Sequence, residues 1–104
     1  MATTTVVSNE SENLRREQLA ELTSENEAGW EREFLPGSLG CHELLDRTNL
    51  VGDLVESQIL EHPTCVLNPQ WHELALQAVD ALRALYQHVG ADHVGHDSSR
   101  NGNS

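Results

Sequence analysis

Between Cys41 and His93 apolar and polar positions alternate with the period of an α-helix, and outside those limits they do not. Placed at 100° per residue, Leu44, Thr48, Val51, Val55 and Ile59 form the central stripe of a first segment. Leu50 and Leu54 extend that stripe on one side and Cys41, Leu45 and Gly52 on the other, an arc of roughly 220°. In a second segment Trp71, Ala75, Ala78, Leu82, Leu85 and Val89 line up, and Leu74, Val79, Ala81 and Tyr86 widen the stripe to roughly 160°. No run shows the two-residue period of a strand, so the pattern predicts an all-α fold.

Local signals set the limits of the two helices. Ser38 or Gly40 can cap the first, and Glu43 suits the positive end of its dipole. Pro63 stops it near His62, because proline restricts the residue before it and has no N–H for the ladder. Asn68-Pro69 then supplies an N-cap and a first helical residue for the second helix, which ends at Gly90 or His93. The expected fold is an antiparallel hairpin, Cys41 to His62 and Pro69 to about His93, because so short a connection makes consecutive helices neighbours. Both helices open with a similar tetrad, Cys41-His42-Glu43-Leu44 and Trp71-His72-Glu73-Leu74, which we read as convergence on a generic amphipathic pattern.

One neighbouring helix covers about a third of a helix surface, so arcs this wide need further cover. A second copy completing a four-helix bundle is the simplest source, since two-fold dimers are the commonest assemblies. The sequence places the expected interface at Leu50, Gly52 and Leu54 of the first helix and at Val79 and Tyr86 of the second, joined by Trp30 and Phe34 upstream. Gly52 belongs to this set because a mid-helix glycine costs up to about 1 kcal/mol unless close packing compensates.

The flanks divide the chain further. Residues 1–28 are polar and Glu-rich, with only Leu14, Leu19 and Leu22 to line a short helix from about Ser11 to Leu22, and are expected to be an acidic tail that is disordered or transiently helical. Residues 29–39 hold the apolar cluster Trp30, Phe34 and Leu35, read as a strap docking on the hairpin or a linear motif for a partner groove. The hairpin occupies 40–93, and 94–104 is a second tail expected to be disordered.

Charge narrows the partners. The net charge is −11, all six basic residues are arginine, and the acidic excess extends through both halves of the chain. Nucleic acid and anionic membrane surfaces both need a cationic face and are not expected as partners. Without lysine there is no Schiff base and no phosphate-binding P-loop. No stretch approaches the roughly 18 apolar residues of a membrane helix. The opening residues carry no leader pattern, and two cysteines make no disulfide framework, so a cytoplasmic setting is expected.

Six histidines raise the question of a metal. A hairpin brings Cys41, His42, His88 and His93 to its open end and His62, Cys65 and His72 to its turn, and both sets have donors suited to zinc. The spacings that mark zincins or di-iron bundles are absent from both helices, so no metal or cofactor is expected. Cys41 beside His42 has no third group to orient a nucleophile, and no catalytic residue is assigned. The expected function is a non-enzymatic protein-protein interaction or oligomerisation module, acting as a homodimer or on a protein partner. An acidic inhibitor of a basic partner, using Glu43, Asp46, Asp53 and Glu56, is the second reading, and a metal-binding bundle the third.

Overall fold

The computed structural model describes the backbone of residues 6–101 and the side chains of residues 6–95; the expectations for residues 1–5 and 102–104 lie outside the described residues. Every regular element among the described residues is helical: α1 (Asn9–Glu25), a 3-10 turn (Trp30–Glu33), α2 (Leu39–Val55), a π turn (Glu56–Leu60), α3 (Pro63–Val66) and α4 (Pro69–Asn101). The chain divides into two units, with the boundary after Glu31.

The first unit holds α1, longer than the transient helix of about Ser11 to Leu22 that the sequence offered beside disorder. The helix buries none of its residues, so local interactions hold it. Ser8 caps it, accepting from the Ser11 N–H at 3.1 Å, and Glu10 and Glu12 sit at the positive end of its dipole. Glu12 accepts from Arg15 at 2.9 and 2.6 Å and from Arg16 at 3.1 Å, ion pairs of the three- and four-residue spacing that steadies isolated helices. At the other end the Asn26 side chain donates to the Leu22 carbonyl at 2.7 Å. Counting leucines overlooked this ladder. Trp30 closes the unit, half-buried, its N–H donating to the Glu27 carbonyl at 3.1 Å.

The second unit is built on α2 and α4. Ser38 is the N-cap of α2, its Oγ accepting from the Cys41 N–H at 3.1 Å. The helix passes into a π turn, marked by the Glu61 N–H reaching the Glu56 carbonyl at 3.0 Å, and ends at the extended His62 before Pro63. The segment read as a loop contains a single helical turn, α3, with Pro63 at its start and His62 Nδ1 accepting from the Thr64 N–H at 3.1 Å. Asn68 caps α4, its Oδ1 accepting from the Gln70 and Trp71 N–H groups at 3.1 Å. Neither Gly90 nor His93 ends α4, which runs to Asn101. No proline follows to break it, and Gly90 packs against Leu45 instead of turning the chain.

Residues of α2 and α4 meet in opposite chain directions: the His42 and His93 rings have centroids 5.7 Å apart, Leu45 lies against Gly90, and Arg83 lies over Gly52. The residues covered by this packing are small: Cys41, Thr48 and Gly52 on α2, Ala75 and Val79 on α4. Thr48 tolerates burial because its hydroxyl donates to the Leu44 carbonyl at 2.8 Å. At the start of α2 the chain turns through Gly37, whose positive φ of 89° aims its N–H at buried His93 Nδ1, 2.9 Å away. No helix among the described residues is long and apolar enough to cross a membrane.

Two glycines give opposite expectations. An alanine at Gly40 meets the Glu33 carbonyl and, at 2.5 Å, the Phe34 ring, so Gly40→Ala should lower the melting temperature although alanine is the better helix former. At Gly90 the nearest atom is a flexible Leu45 methyl at 3.6 Å, and Gly90→Ala should raise stability by about 0.5–1 kcal/mol. Thermal melts of both variants beside the parent check this pair, and a stabilised Gly40→Ala would refute the packing described at that residue. In α1 the hydrogen bonds from Arg15 and then Arg16 hold the Glu12 carboxyl down to about 2. A carboxylate depressed on folding stabilises the helix above its unfolded value and loses that contribution as pH falls toward 2. Carboxyl chemical shifts across an acid titration should show Glu12 protonating well after its neighbours.

Candidate interaction face

The Arg83 guanidinium fixes which side of the α2–α4 pair is polar. From α4 it crosses to α2 and donates to Asp53 at 2.8 Å and Glu56 at 3.2 Å, which raises its pKa through those two hydrogen bonds. The other flank of the contact is apolar on both helices. Leu44 and Val51 stand two helical turns apart on α2, on the side of Cys41, Thr48 and Gly52 away from Asp53. Leu74, Ala78 and Leu85 occupy the matching flank of α4, away from Arg83, and all five of these residues are exposed. Leu44, Val51, Ala78 and Leu85 belong to the central stripes, of which Thr48 and Ala75 are buried in the contact. The helices cover one side of each stripe and leave this flank open.

At the turn end the face deepens into a groove of about 520 Å³ lined by Ile59, His62, Cys65, Trp71, Leu74 and Ala75, among others. The π turn accounts for its shape. Each residue of a π turn advances through less rotation than in an α-helix, so Ile59 swings out of line with Cys41 and Gly52 toward the flank of Leu44 and Val51. Ile59 is accordingly 51% exposed, beside Trp71 at 55% and Leu74 at 63%. Among the described residues the groove presents few polar atoms, and those of His62 include an Nδ1 already accepting from Thr64.

The residues chosen from sequence are dispersed by the fold. Leu50 and Leu54 are exposed at 60% and 49%, on the outer side of α2 beyond Val51. Gly52 and Val79 are buried between α2 and α4, covered by the chain itself, and Tyr86 stands at the margin of exposure. Trp30 belongs to the first unit and Phe34 to the second. Phe34 lies over Gly40 while keeping most of its ring exposed, at the opposite end of α2 from the groove. Leu44, Val51, Leu74 and Leu85, all members of the arcs, carry the face instead. Only knowing which margin packs could have singled them out.

Among the described residues no group of three or more His, Cys, Asp and Glu side chains is placed to hold a metal ion. At the open end Cys41 and His93 are buried, His42 faces Asp46 at 3.4 Å and His88 is exposed. At the turn His62 and Cys65 line the groove and His72 does not. Both cysteines are free thiols. No protein-family model, curated protein or solved structure matches the chain.

Arg83 does more than pair charge, because its guanidinium roofs Gly52, 3.0 Å from where a side chain would begin. Exposed ion pairs contribute little, so packing should dominate its effect. Arg83→Met, which keeps the stem, should therefore melt closer to the parent than Arg83→Ala, and the gap should persist in high salt. Equal melting of the two variants would assign the role to charge.

Proposed function

We propose that this chain is a non-enzymatic helical interaction module, whose α2–α4 hairpin closes its apolar face against the same face of a second copy to complete a four-helix bundle. The observation that carries the reading is the run of exposed Leu44, Val51, Leu74, Ala78 and Leu85 beside Trp71 and Ile59, all on the flank opposite Arg83. Contiguous apolar surface of this kind marks an association site.

Area and charge both favour a second copy. α2 and its π turn comprise 17 and 5 residues, about 33 Å of helix, and two helices side by side are about 20 Å across. Such a face is about 650 Å² per copy, or about 1,300 Å² in all, within the range of stable interfaces. The residues named on the face carry no charge although the chain as a whole carries −11, so the centre of a contact between two copies is free of acids. A basic partner finds no acid among those residues to bind. Asp53 and Glu56 on the other flank already share Arg83, which weakens the alternative of an acidic inhibitor. Two free thiols suit a reducing, cytoplasmic setting.

Light scattering during size exclusion tests the reading. The parent should run as a dimer, and Leu85→Glu should weaken association by about 100-fold or more, because the charge would be buried without a partner. Asp80→Ala, at an exposed acid away from the face, should leave the dimer intact. A parent that stays monomeric at its highest soluble concentration would overturn the proposal.

A further inference from the structure

A dimer closed through this face has two symmetric arrangements open to it, and the side chains at the rims distinguish them; the choice between them rests on the dimer reading. In one arrangement α2 lies on the partner's α2, and the turns are at opposite ends. In the other the two-fold axis runs parallel to the helices, α2 of each copy lies on the partner's α4, and the turns sit together. We propose the second, with Leu50 and Leu54 of each copy seated on the alanine row of the partner's α4.

Level and size decide between the two. The pairs His42–His93, Leu45–Gly90 and Gly52–Arg83 show that each step along α2 is matched by a step back along α4. By that register Leu54 is level with Ala81, and Leu50 with Ala84 and Leu85. A two-fold axis parallel to the helices leaves these levels unchanged in the partner. Leu50 and Leu54 are large and exposed at the outer rim of α2. Ala78, Ala81 and Ala84 form a row of small exposed residues on the same reach of α4. Large rim against small rim fills space, whereas α2 on α2 sets leucine against leucine and leaves alanine facing alanine across a gap.

Arg47 is the cation of the α2 rim, held to Glu43 at 3.2 Å, and its level on α4 is His88, one turn from Asp92. With the turns together, Glu43 is level with the partner's Asp92, and Arg47, one turn away and 3.2 Å from Glu43, offsets the approach of the two acids. Packing α2 on α2 separates Arg47 from Asp92. At the turn end, the two grooves lined by Trp71, Ile59 and Cys65 adjoin across the axis.

Cysteine cross-linking of the full chain tests the arrangement. A bismaleimide much shorter than α2 with its π turn, about 33 Å long, joins the two Cys65 residues only when the turns share an end. The expected result is a covalent dimer that Cys65→Ser abolishes. As a second measurement, Leu54→Cys and Ala81→Cys chains, each carrying Cys65→Ser, should form a mixed disulfide when refolded together. A chain that is dimeric by light scattering, whose Cys65 reacts with a monofunctional maleimide, yet gives neither product would overturn the arrangement and leave the dimer standing. A monomeric chain would overturn the reading beneath it.

Discussion

Two helices approach only as closely as the side chains between them allow, and in this chain those side chains are small. Cys41, Thr48 and Gly52 on α2 meet Ala75, Val79 and Gly90 on α4, so the backbones come close along a narrow seam. The consequences reach well beyond the seam. Because α2 turns Cys41, Thr48 and Gly52 to the seam, its larger Leu44 and Val51 are turned outward. Because α4 does the same with Ala75 and Val79, the two exposed stripes fall on one flank and merge. A seam of leucines would have buried the centres of both arcs and left little apolar surface. Packing by the margin makes the molecule a surface as much as a fold.

Polar groups set in and around that seam are satisfied locally. Thr48 returns its hydroxyl to its own helix, and His93 accepts the Gly37 N–H on Nδ1, which puts the proton of the neutral ring on Nε2. The His93 bond ties the chain entering α2 to the far part of α4, so the open end is closed by a polar contact and the turn end by α3. Gly37 is needed there for its positive φ, and Gly40 for the room it leaves Phe34. Each histidine with a named contact in the second unit (His42, His62, His93) uses it for structure: a facing acid, a helix cap, a backbone N–H.

Helix type and helix starts were legible in the sequence because they depend on neighbours in the chain. Ser38 and Asn68 cap as expected, Pro69 opens α4, and Pro63 stops the helix before it while also opening the single turn α3 that was read as loop. Helix ends and α1 were less legible. Glycine at 90 resembled a stop, but a stop also requires a turn to be more favourable than another helical residue, and Leu45 packing at Gly90 supports the helix. In α1 the Glu12–Arg15–Arg16 pairs and both caps supply what apolar burial does not. The face itself was only half legible. Periodicity showed that the arcs were too wide for one neighbour, but it cannot say which margin the neighbour takes. Gly52 and Val79 were assigned to a partner on the strength of a cost and a position, and they are buried within the chain itself, Gly52 beneath the Arg83 guanidinium.

The π turn at Glu56–Leu60 connects these points. Had α2 continued as a regular helix, Ile59 would have stayed in register with Cys41 and Gly52 and pointed into the seam, where a branched side chain keeps helices apart. The extra backbone reach of the turn moves Ile59 out to the flank, and it leaves Val55 as the last half-buried residue of α2 beside the seam. A close seam and an apolar groove at the turn therefore come from the same local irregularity. Local departures of this kind cost stability unless something uses them. Ile59, Trp71 and Leu74 are all left about half exposed, so contacts within the chain alone do not cover the groove that the turn creates.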